Sequence, residues 1–274
     1  MKHGALVCVL ILLAGVAVCV CGVAGPERAE HAAIMITNDY EFTPQNGVCS
    51  GSGTPVDPYV IQGWRIDAGY DAYGIRVHGT TRYFVIRDVE VTGAMRAGVS
   101  LSYVRNGRVE GCLLNANWVG IAVNYSTFIR ISDCVFDTNT DGVHLFFSNE
   151  NQILYNVFDR NDTALWLDAS NRNEITGNLI QASHMGTYLN LASTGNRILM
   201  NAFVSNLHNA YSDEPNIWNS DTQGNYWSDY KAIDANEDGI WDTPYRIDSD
   251  GDTDSYPLVS HPLVPAPAPA TCDS

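Results

Sequence analysis

The chain has 274 residues, of which 45% are hydrophobic and only 17% are charged, so it can bury one large core or two smaller ones. Its 15 basic and 31 acidic residues give a formal net charge of −16. This charge argues against nucleic acid as a partner, because phosphate binding needs a basic patch.

Residues 1–24 are predicted to be a signal peptide. Lys2 is followed by an apolar run from Ala5 to Gly25, and Gly22-Val23-Ala24 has the small residues of a cleavage site. The length of the run leaves an uncleaved membrane anchor as an alternative. No later segment is apolar enough to span a membrane. We therefore expect a mature protein that is secreted, periplasmic or attached to the cell surface.

Four cysteines lie outside this segment: Cys49, Cys112, Cys134 and Cys272. They contain no CxxC pair, so neither a zinc site nor a redox motif is supported. A secreted protein permits disulfides, but nothing in the sequence requires one.

Residues 25–66 are interpreted as an N-terminal cap, because the stretches 51–55 and 57–59 are rich in turn-forming residues. The repeats that follow occupy residues 67–207. In these repeats an isoleucine-like position recurs at spacings of 23, 22, 22, 22 and 23 residues: Ile86, Val109, Ile131, Ile153, Ile175 and Ile198.

Apolar residues recur with a period of two inside each repeat, which is typical of strands. At about 3.3 Å per residue, such a repeat closes one coil of a right-handed parallel β-helix. One coil cannot bury its own apolar face, but stacked coils can. The predicted fold is therefore all-β, a single-stranded right-handed parallel β-helix with a cap at each end.

Two further columns follow the same register. Asn156, Asn178 and Asn201 are predicted to stack inward and hydrogen-bond along the axis. Cys112 and Cys134 continue that column, and we interpret them as small core residues, with a strained disulfide as the alternative. A Gly or Ala column, which includes Gly142, is predicted to form the corners, where positive φ is cheap.

Residues 208–261 are predicted to form an acidic C-terminal cap rich in Trp and Tyr, and residues 262–274 an extended Pro/Ala tail. Acidic and amide oxygens alternate in the cap as in a calcium loop, so structural calcium is predicted there, with a solvated acidic loop as the alternative. The candidate ligands are Asp234, Asn236, Asp238, Asp242, Asp248, Asp250, Asp252 and Asp254.

Three features together resemble the NosD-like family of secreted β-helix proteins. They are the stretch from Asn46 to Trp64, the coils themselves, and Gly224–Tyr230 with Asp238–Tyr245 and Tyr256–Leu258. The resemblance covers about residues 34–264. The resemblance implies a periplasmic or cell-surface right-handed β-helix. Proteins with similar repeats have three roles: copper delivery to nitrous-oxide reductase, carbohydrate binding and sugar hydrolysis.

The copper role is not supported residue by residue. Copper prefers Cys, Met and His ligands. The candidates in the folded part form no HxxH, MxxM or HxM cluster: His78, His144, His184, His208, Met95, Met185 and Met200.

Alternate residues after each Gly or Ala of the column are expected to point outward. The candidate ligand-binding residues on this face are His144, Phe146, Trp166, Asp168, Tyr188 and Asn190. Aromatic rings beside polar groups suit sugars, so an extracellular glycan is the expected ligand. Ordinary surface aromatics, or contact with a partner, are the alternative.

Asn139-Thr140-Asp141-Gly142 resembles the catalytic run of polygalacturonases. Asp162 and His184 follow at coil spacing, so the weak catalytic candidates are Asp141, Asp162 and His184. The other elements of that pattern are broken here. We therefore interpret Asp141 as a turn residue that caps through its own side chain. The sequence favours a non-catalytic binding or structural module, with a polysaccharide hydrolase or lyase as the alternative.

Overall fold

A computed structural model describes the backbone of residues 7–13, 16–22, 28–249 and 251–262, and the side chains of residues 28–248 and 251–262. The predicted signal peptide lies largely outside these residues. Only an antiparallel strand pair, Val7–Leu13 with Val16–Gly22, is described there. Of the predicted tail, only Pro262 is described. No helix among the described residues is long and apolar enough to cross a membrane.

Three sheets of mainly parallel strands wind around one core and form the predicted right-handed parallel β-helix. The long-strand sheet contains Ile34–Ile36, Tyr73–His78, Ala97–Ser102, Val119–Asn124, Asp141–Phe146, Thr163–Asp168, Met185–Asn190, His208–Ser212 and Asp248–Ser249. The second sheet contains Val48–Ser50, Tyr59–Gln62, Phe84–Arg87, Gly107–Glu110, Arg130–Ser132, Gln152–Leu154, Glu174–Thr176 and Arg197–Leu199. In this second sheet, Val48–Ser50 pairs antiparallel with Tyr59–Gln62. The third sheet contains Ala29–Glu30, Trp64–Asp67, Glu90–Thr92, Leu113–Asn115, Val135–Asp137, Val157–Asp159, Leu179–Gln181, Ala202–Val204 and Tyr226–Trp227.

The remaining described elements lie toward the two ends. Asp39–Glu41 and Pro44–Asn46 are short 3-10 helices, and Tyr245–Arg246 pairs antiparallel with Thr253–Asp254. Residues 29–67 already contribute strands to all three sheets. The coil stack therefore extends into residues 25–66, which are interpreted from the sequence as an N-terminal cap.

The core follows from the alternation of side chains along each strand. In Asp141–Phe146, Val143 and Leu145 are fully buried, whereas the intervening His144 is only half-buried. The rings of Phe136 and Phe158 stack on neighbouring coils with centroids 4.6 Å apart. Successive coils thus bury one another's apolar faces, which no single coil can do.

Polar side chains stack at the corners in four ladders that cross the coils. The predicted Asn ladder exists, runs through Cys112 and Cys134 and ends at Asn225. Both cysteines are buried free thiols. Three more ladders were not foreseen. They are Asn117–Asn139–Asn161, Asn151–Asn173–Asn196–Asn216 and Ser126–Ser148–Ser170–Ser193.

Each ladder side chain satisfies backbone groups of the adjacent coils. Asn178 Oδ1 accepts from the backbone N–H of Asn156 at 2.9 Å, and Asn178 Nδ2 donates to the carbonyl oxygen of Ile153 at 2.9 Å. At the corners the backbone departs from the sheets, so these side chains provide the partners that buried peptide groups need.

The predicted role of Gly142 is wrong. Gly142 lies inside a strand, and the left-handed corner before it is at Thr138, with φ of 55°. A Cβ at Gly142 would lie 2.5 Å from Ala164 O and 2.7 Å from Phe158 Cδ1. Glycine is needed here because the next coil approaches so closely, and not because of its backbone angle.

Thr187→Val is expected to raise the free energy of unfolding by about 1 kcal/mol. Thr187 is fully buried, and its hydroxyl finds no hydrogen-bond partner among the described residues. Valine has the same shape without the desolvated hydroxyl. Urea denaturation measures the change. Thr194→Val is the matched control and should lose stability, because Thr194 Oγ1 donates to Pro215 O at 2.9 Å. A loss for Thr187→Val would show that its hydroxyl has a partner.

Candidate functional site

Two columns of side chains run along the outward face of the long-strand sheet. Strand pairing puts one residue of each column on successive coils, in the order expected from the sequence. The first column contains Arg76, Ser100, Ala122, His144, Trp166, Tyr188 and Tyr211. The second contains His78, Ser102, Asn124, Phe146, Asp168 and Asn190. Tyr211 extends the first column one coil beyond the residues picked from the sequence.

Two neighbouring side chains fix the carboxylate of Asp168. Trp166 Nε1 donates to Oδ1 at 2.8 Å, and His144 Nε2 lies 3.2 Å from Oδ2. Burial lowers the pKa of His144, although the hydrogen bond and charge of Asp168 oppose that shift. With the imidazole proton on Nε2, this contact is a hydrogen bond that His144 donates to Asp168. Each carboxylate oxygen keeps acceptor capacity for a further hydroxyl.

The aromatic rings of the first column contact one another from coil to coil, and we call His144, Trp166, Tyr188 and Tyr211 the face strip. His144 and Trp166 stack with centroids 5.0 Å apart, and Tyr188 and Tyr211 stack at 4.9 Å. Between these pairs, Trp166 and Tyr188 meet edge to face at 5.7 Å. All four side chains are half-buried. The strip is thus a continuous aromatic surface along the axis.

A second aromatic stack lies at the corner after the strands, and sequence reasoning missed it. Tyr103, Tyr125 and Phe147 stack almost in parallel, with centroids 5.0 and 5.4 Å apart. We call these three residues the corner stack. They are 56%, 45% and 48% exposed and have φ of 55°, 49° and 47°. The available signal was an aromatic residue directly after the strand in three successive repeats.

Phe146 connects the two aromatic surfaces. Its ring meets Phe147 of the corner stack at 4.7 Å and His144 of the face strip at 6.5 Å, both edge to face. Beyond Asp168 in the same column, Asn190 has a buried Oδ1 that finds no partner among the described residues. All six predicted ligand-binding side chains therefore lie on the same outward face.

Asp141 is a buried carboxyl group at the edge of this face, with only 5% exposure. Burial, together with the charges of Asp162 and Asp168, raises its pKa to about 7. No group among the described residues donates a hydrogen bond to its side chain, so the predicted turn cap is wrong. A carboxyl that is half-protonated near neutrality can give or take a proton.

The other two catalytic candidates, Asp162 and His184, have exposed side chains. Asp162 precedes Thr163, which pairs with Asp141 on the next coil. Its carboxylate is 66% exposed and lies 3.8 Å from His184 Nδ1. The His184 and His208 rings are 5.6 Å apart. The structure therefore brings Asp141 and Asp162 to neighbouring coils and places His184 one coil further on.

In the first acidic run of the C-terminal cap, Asp234, Asp238 and Asp242 accept hydrogen bonds from donors in their own turn. Asp234 accepts from the backbone N–H groups of Asp238 and Gly239 at 3.1 and 3.0 Å. Asp238 accepts from Asn236 Nδ2, and Asp242 accepts from Ala235 N. These oxygens are occupied by local donors, which gives the alternation of acids and amides a role that needs no calcium.

The second acidic run ends two of the Asn ladders. Asp254 Oδ2 accepts from Asn225 N at 2.7 Å and from Trp227 Nε1 at 2.9 Å. Asp252 Oδ2 accepts from Asn216 N and Trp218 Nε1. Burial raises the pKa of Asp254 despite these bonds. Of the other two predicted ligands, Asp248 is exposed and Asp250 lies outside the described residues.

The fold and this face define a class of protein, a right-handed parallel β-helix with an aromatic and acidic outward surface. A family model described as "Periplasmic copper-binding protein (NosD)" matches residues 35–232. The chain belongs to the NosD family.

Two relatives match a shorter segment. Both are described as "Probable ABC transporter binding protein NosD", and both matches cover only about a sixth of the relative's length. The protein of Stutzerimonas stutzeri is 40% identical over 68 residues, which is 24% of this chain and 16% of the relative. That of Pseudomonas aeruginosa is 38% identical over 66 residues, which is 23% and 15% respectively.

Among solved structures, the A-module of the Azotobacter vinelandii mannuronan C-5 epimerase AlgE6 is similar, with a TM-score of 0.48 and 15% identity. The match covers 60% of this chain and 52% of that one. XylC in complex with xylose gives a TM-score of 0.43 and 10% identity, with 70% and 37% covered. Likeness at this level carries no argument about function.

The described residues do not fit the copper site that the family description implies. Copper would need several imidazole, thiolate or thioether groups at one centre. In the described part of the chain, no three His, Cys, Asp or Glu side chains converge as metal ligands. His144 is held by Asp168, and Met95 is exposed far along the chain from His184 and His208. Met185 follows His184 and pairs with His208 on the next coil, so two imidazoles and one thioether lie on adjacent coils, with the two rings 5.6 Å apart.

Proposed function

We propose that this chain is a periplasmic or secreted β-helix protein that binds an extracellular carbohydrate on the outward face of the long-strand sheet. The observation that carries the proposal is the carboxylate of Asp168, held by His144 and Trp166 beside the face strip. Sugars present apolar C–H faces and hydroxyl donors together. A binding site for them combines aromatic rings with a few fixed acceptors. The family's description as periplasmic supports the location.

Trp166→Ala is expected to weaken glycan binding at least tenfold. The substitution removes the central ring of the face strip and one of the two donors that hold Asp168. A screen of the full chain on a glycan array, followed by calorimetry with the best oligosaccharide, measures the change.

Tyr155→Ala is the matched control. Tyr155 is a 43% exposed aromatic residue after the second sheet, far from this face, so its truncation should leave binding unchanged. Equal affinity of the Trp166→Ala variant and the wild type would contradict the proposal.

A second candidate is cleavage of the bound glycan, by hydrolysis or elimination. One observation favours it: Asp141 has a pKa of about 7, and Asp162 stands on the adjacent coil. A buried carboxyl with a raised pKa and a second, exposed carboxyl on the next coil are the kind of pair that serves as acid and base in catalysis.

If the chain cleaves glycans, Asp141→Asn should lower the rate at least a hundredfold while glycan affinity stays within threefold. General acid–base catalysis typically supplies such factors. Release of reducing ends or of unsaturated products, followed over hours, measures the rate. Glycan binding without any product from the wild type would leave a binding protein and remove this candidate.

A further inference from the structure

The aromatic surface extends well beyond the face strip. From Tyr103 at one end to Tyr211 at the other, each ring contacts the next, and the path passes through Phe146 where the corner stack meets the strip. It crosses six consecutive coils. At about 4.8 Å per coil, its length along the axis is about 24 Å, with one sideways step at the coil of Asp141–Phe146.

The rings are spaced by the fold itself. Neighbouring centroids within the corner stack and the face strip are 4.9–5.7 Å apart, because each ring comes from the next coil. A surface with a regular repeat suits a ligand with a regular repeat, and a linear polymer of sugar rings is such a ligand.

The corner stack carries a cost that packing does not require. Tyr103, Tyr125 and Phe147 adopt left-handed backbone conformations, which cost bulky residues of order 1 kcal/mol each. Ala169 fills the equivalent position one coil later with φ of 47°. Large rings are therefore dispensable for forming this corner, and their exposure marks a surface open to contact.

The charge of the face selects against acidic ligands. Asp168 contacts His144 and Trp166 of the face strip, and Asp162 is exposed on the same coil as Trp166. The guanidinium groups nearest the path lie toward its Tyr103 end: Arg76 pairs with Ser100 in the strand before Tyr103, and Arg105 follows Tyr103 by two residues and stacks on Phe128. The chain as a whole carries a formal net charge of −16. A uronate or sulfated chain would meet like charge where it passes the carboxylate of Asp168 on the face strip.

We infer that the ligand is a linear, uncharged glycan that lies along the helix axis and spans the corner stack and the face strip together. This inference rests on the proposed function and makes it specific. It assigns the binding of the outer sugar units to Tyr103, Tyr125 and Phe147, and that of the inner units to the rings around Asp168.

Chain-length dependence tests the inference. The full chain would be titrated by calorimetry with neutral β-1,4-linked oligomers of glucose, mannose and xylose, from two to six units, and with galacturonate oligomers of equal length. Affinity for the neutral ligand is expected to rise with each unit up to five or six. Galacturonate hexamers should bind at least tenfold more weakly than the best neutral hexamer.

Two variants separate the ends of the path. Tyr125→Ala should weaken hexamer binding about tenfold and leave trimer binding unchanged, whereas Trp166→Ala should weaken both. Tyr155→Ala should change neither, and the melting temperatures of all three variants show whether they fold. An exposed corner ring can be truncated without opening the core, so Tyr125→Ala is expected to fold.

Several results would overturn the inference. If affinity does not grow beyond three sugar units, or if Tyr125→Ala leaves hexamer affinity unchanged, the ligand contacts only the face strip. The proposal of glycan binding would then stand without the extended site. Equal binding of galacturonate would refute the uncharged ligand. Failure of every neutral oligomer to bind would remove both proposals. Loss of a dimer on Tyr125→Ala, seen by sedimentation, would make the corner stack an interface between copies of this chain.

Discussion

Replacing Asp141 with Asn should raise the free energy of unfolding at pH 8 by up to about 4 kcal/mol. The fold raises the pKa of this carboxyl from 3.8 to about 7, and each pKa unit corresponds to about 1.36 kcal/mol. Above pH 7 the wild type must keep a buried carboxylate that accepts no hydrogen bond among the described residues. Asparagine has the same shape and no charge.

The sign of the pH dependence follows from the raised pKa. Below about pH 4 the carboxyl is protonated in both the folded and the unfolded chain, so the variant and the wild type should be equally stable. Between pH 4 and 7 the unfolded chain releases the proton first, and the wild type loses stability as the pH rises. The gain from Asp141→Asn should therefore grow across this window and then level off.

Urea denaturation from pH 4 to pH 8 measures this difference. Asp213→Asn is the matched control, because Asp213 is exposed, and its variant should follow the wild type at every pH. Asp162→Asn should give a smaller gain, since it removes one of the two charges that raise the pKa of Asp141. A loss of stability in Asp141→Asn at pH 8 would mean that the carboxylate makes bonds that the fold needs.

Asn178→Ala should lower the free energy of unfolding by about 4 kcal/mol or more. Asn178 is fully buried and takes part in four hydrogen bonds, with the backbone and side chain of Asn156, Ile153 O and Asn201 Oδ1. Alanine removes this partner from the Asn156 N–H and from Ile153 O, at about 1–3 kcal/mol each, whereas Asn156 Nδ2 keeps Ile131 O and Asn201 Oδ1 keeps the backbone N–H of residue 178. The melting temperature should fall by about 10 °C in a chain of this size.

The control for this variant is Asn115→Ala. Asn115 lies at the end of a strand in the third sheet, and its Oδ1 finds no partner among the described residues. The same chemical change there should alter the free energy of unfolding by less than about 0.5 kcal/mol. Equal losses at the two positions would show that the ladder adds nothing beyond ordinary burial.

The stability cost of Asp141 bears on function. Its ionised form opposes folding, so the fold would be more stable without it. Sites that carry such a cost are commonly those where binding or chemistry uses the group. The charge of Asp168, which helps to raise the pKa of Asp141, is what connects this cost to the outward face.

The sequence predicted the coil stack and its register because the isoleucine-like positions recur at a constant spacing. The same register placed His144, Trp166 and Tyr188 on one outward column. The Asn ladder was found because Asn156, Asn178 and Asn201 are the same residue type. The Ser126 and Asn151 ladders were missed because Asn and Ser are also the commonest turn residues, so their inward orientation left no pattern in the sequence.

Other properties depend on distances between coils, which spacing alone does not provide. The pKa of Asp141 is set by its burial and by two carboxylates from the next coil. Gly142 was taken for a corner because glycine serves both for positive φ and for close approach, and only the position of Phe158 distinguishes the two. Asp252 and Asp254 looked like metal ligands because a carboxylate that ends a ladder has the same alternating spacing as one that binds calcium.

Because the ladders are absent from the first described coils, we expect these coils to open locally more easily than the later coils. Three of the ladders begin where Asn117, Ser126 and Asn151 accept from the preceding coil, and the fourth begins where Cys134 Sγ accepts from Cys112 N. Two of them end on Asp252 and Asp254. Earlier coils have Val89 and Ala94 at two of these positions. Amide protons in the first coils should therefore exchange with solvent through local opening, while those beyond Asn156 exchange only when the whole stack comes apart. The corner stack begins in the coils that are expected to open locally. A polymer bound to both the corner stack and the face strip would therefore reduce the opening of these first coils.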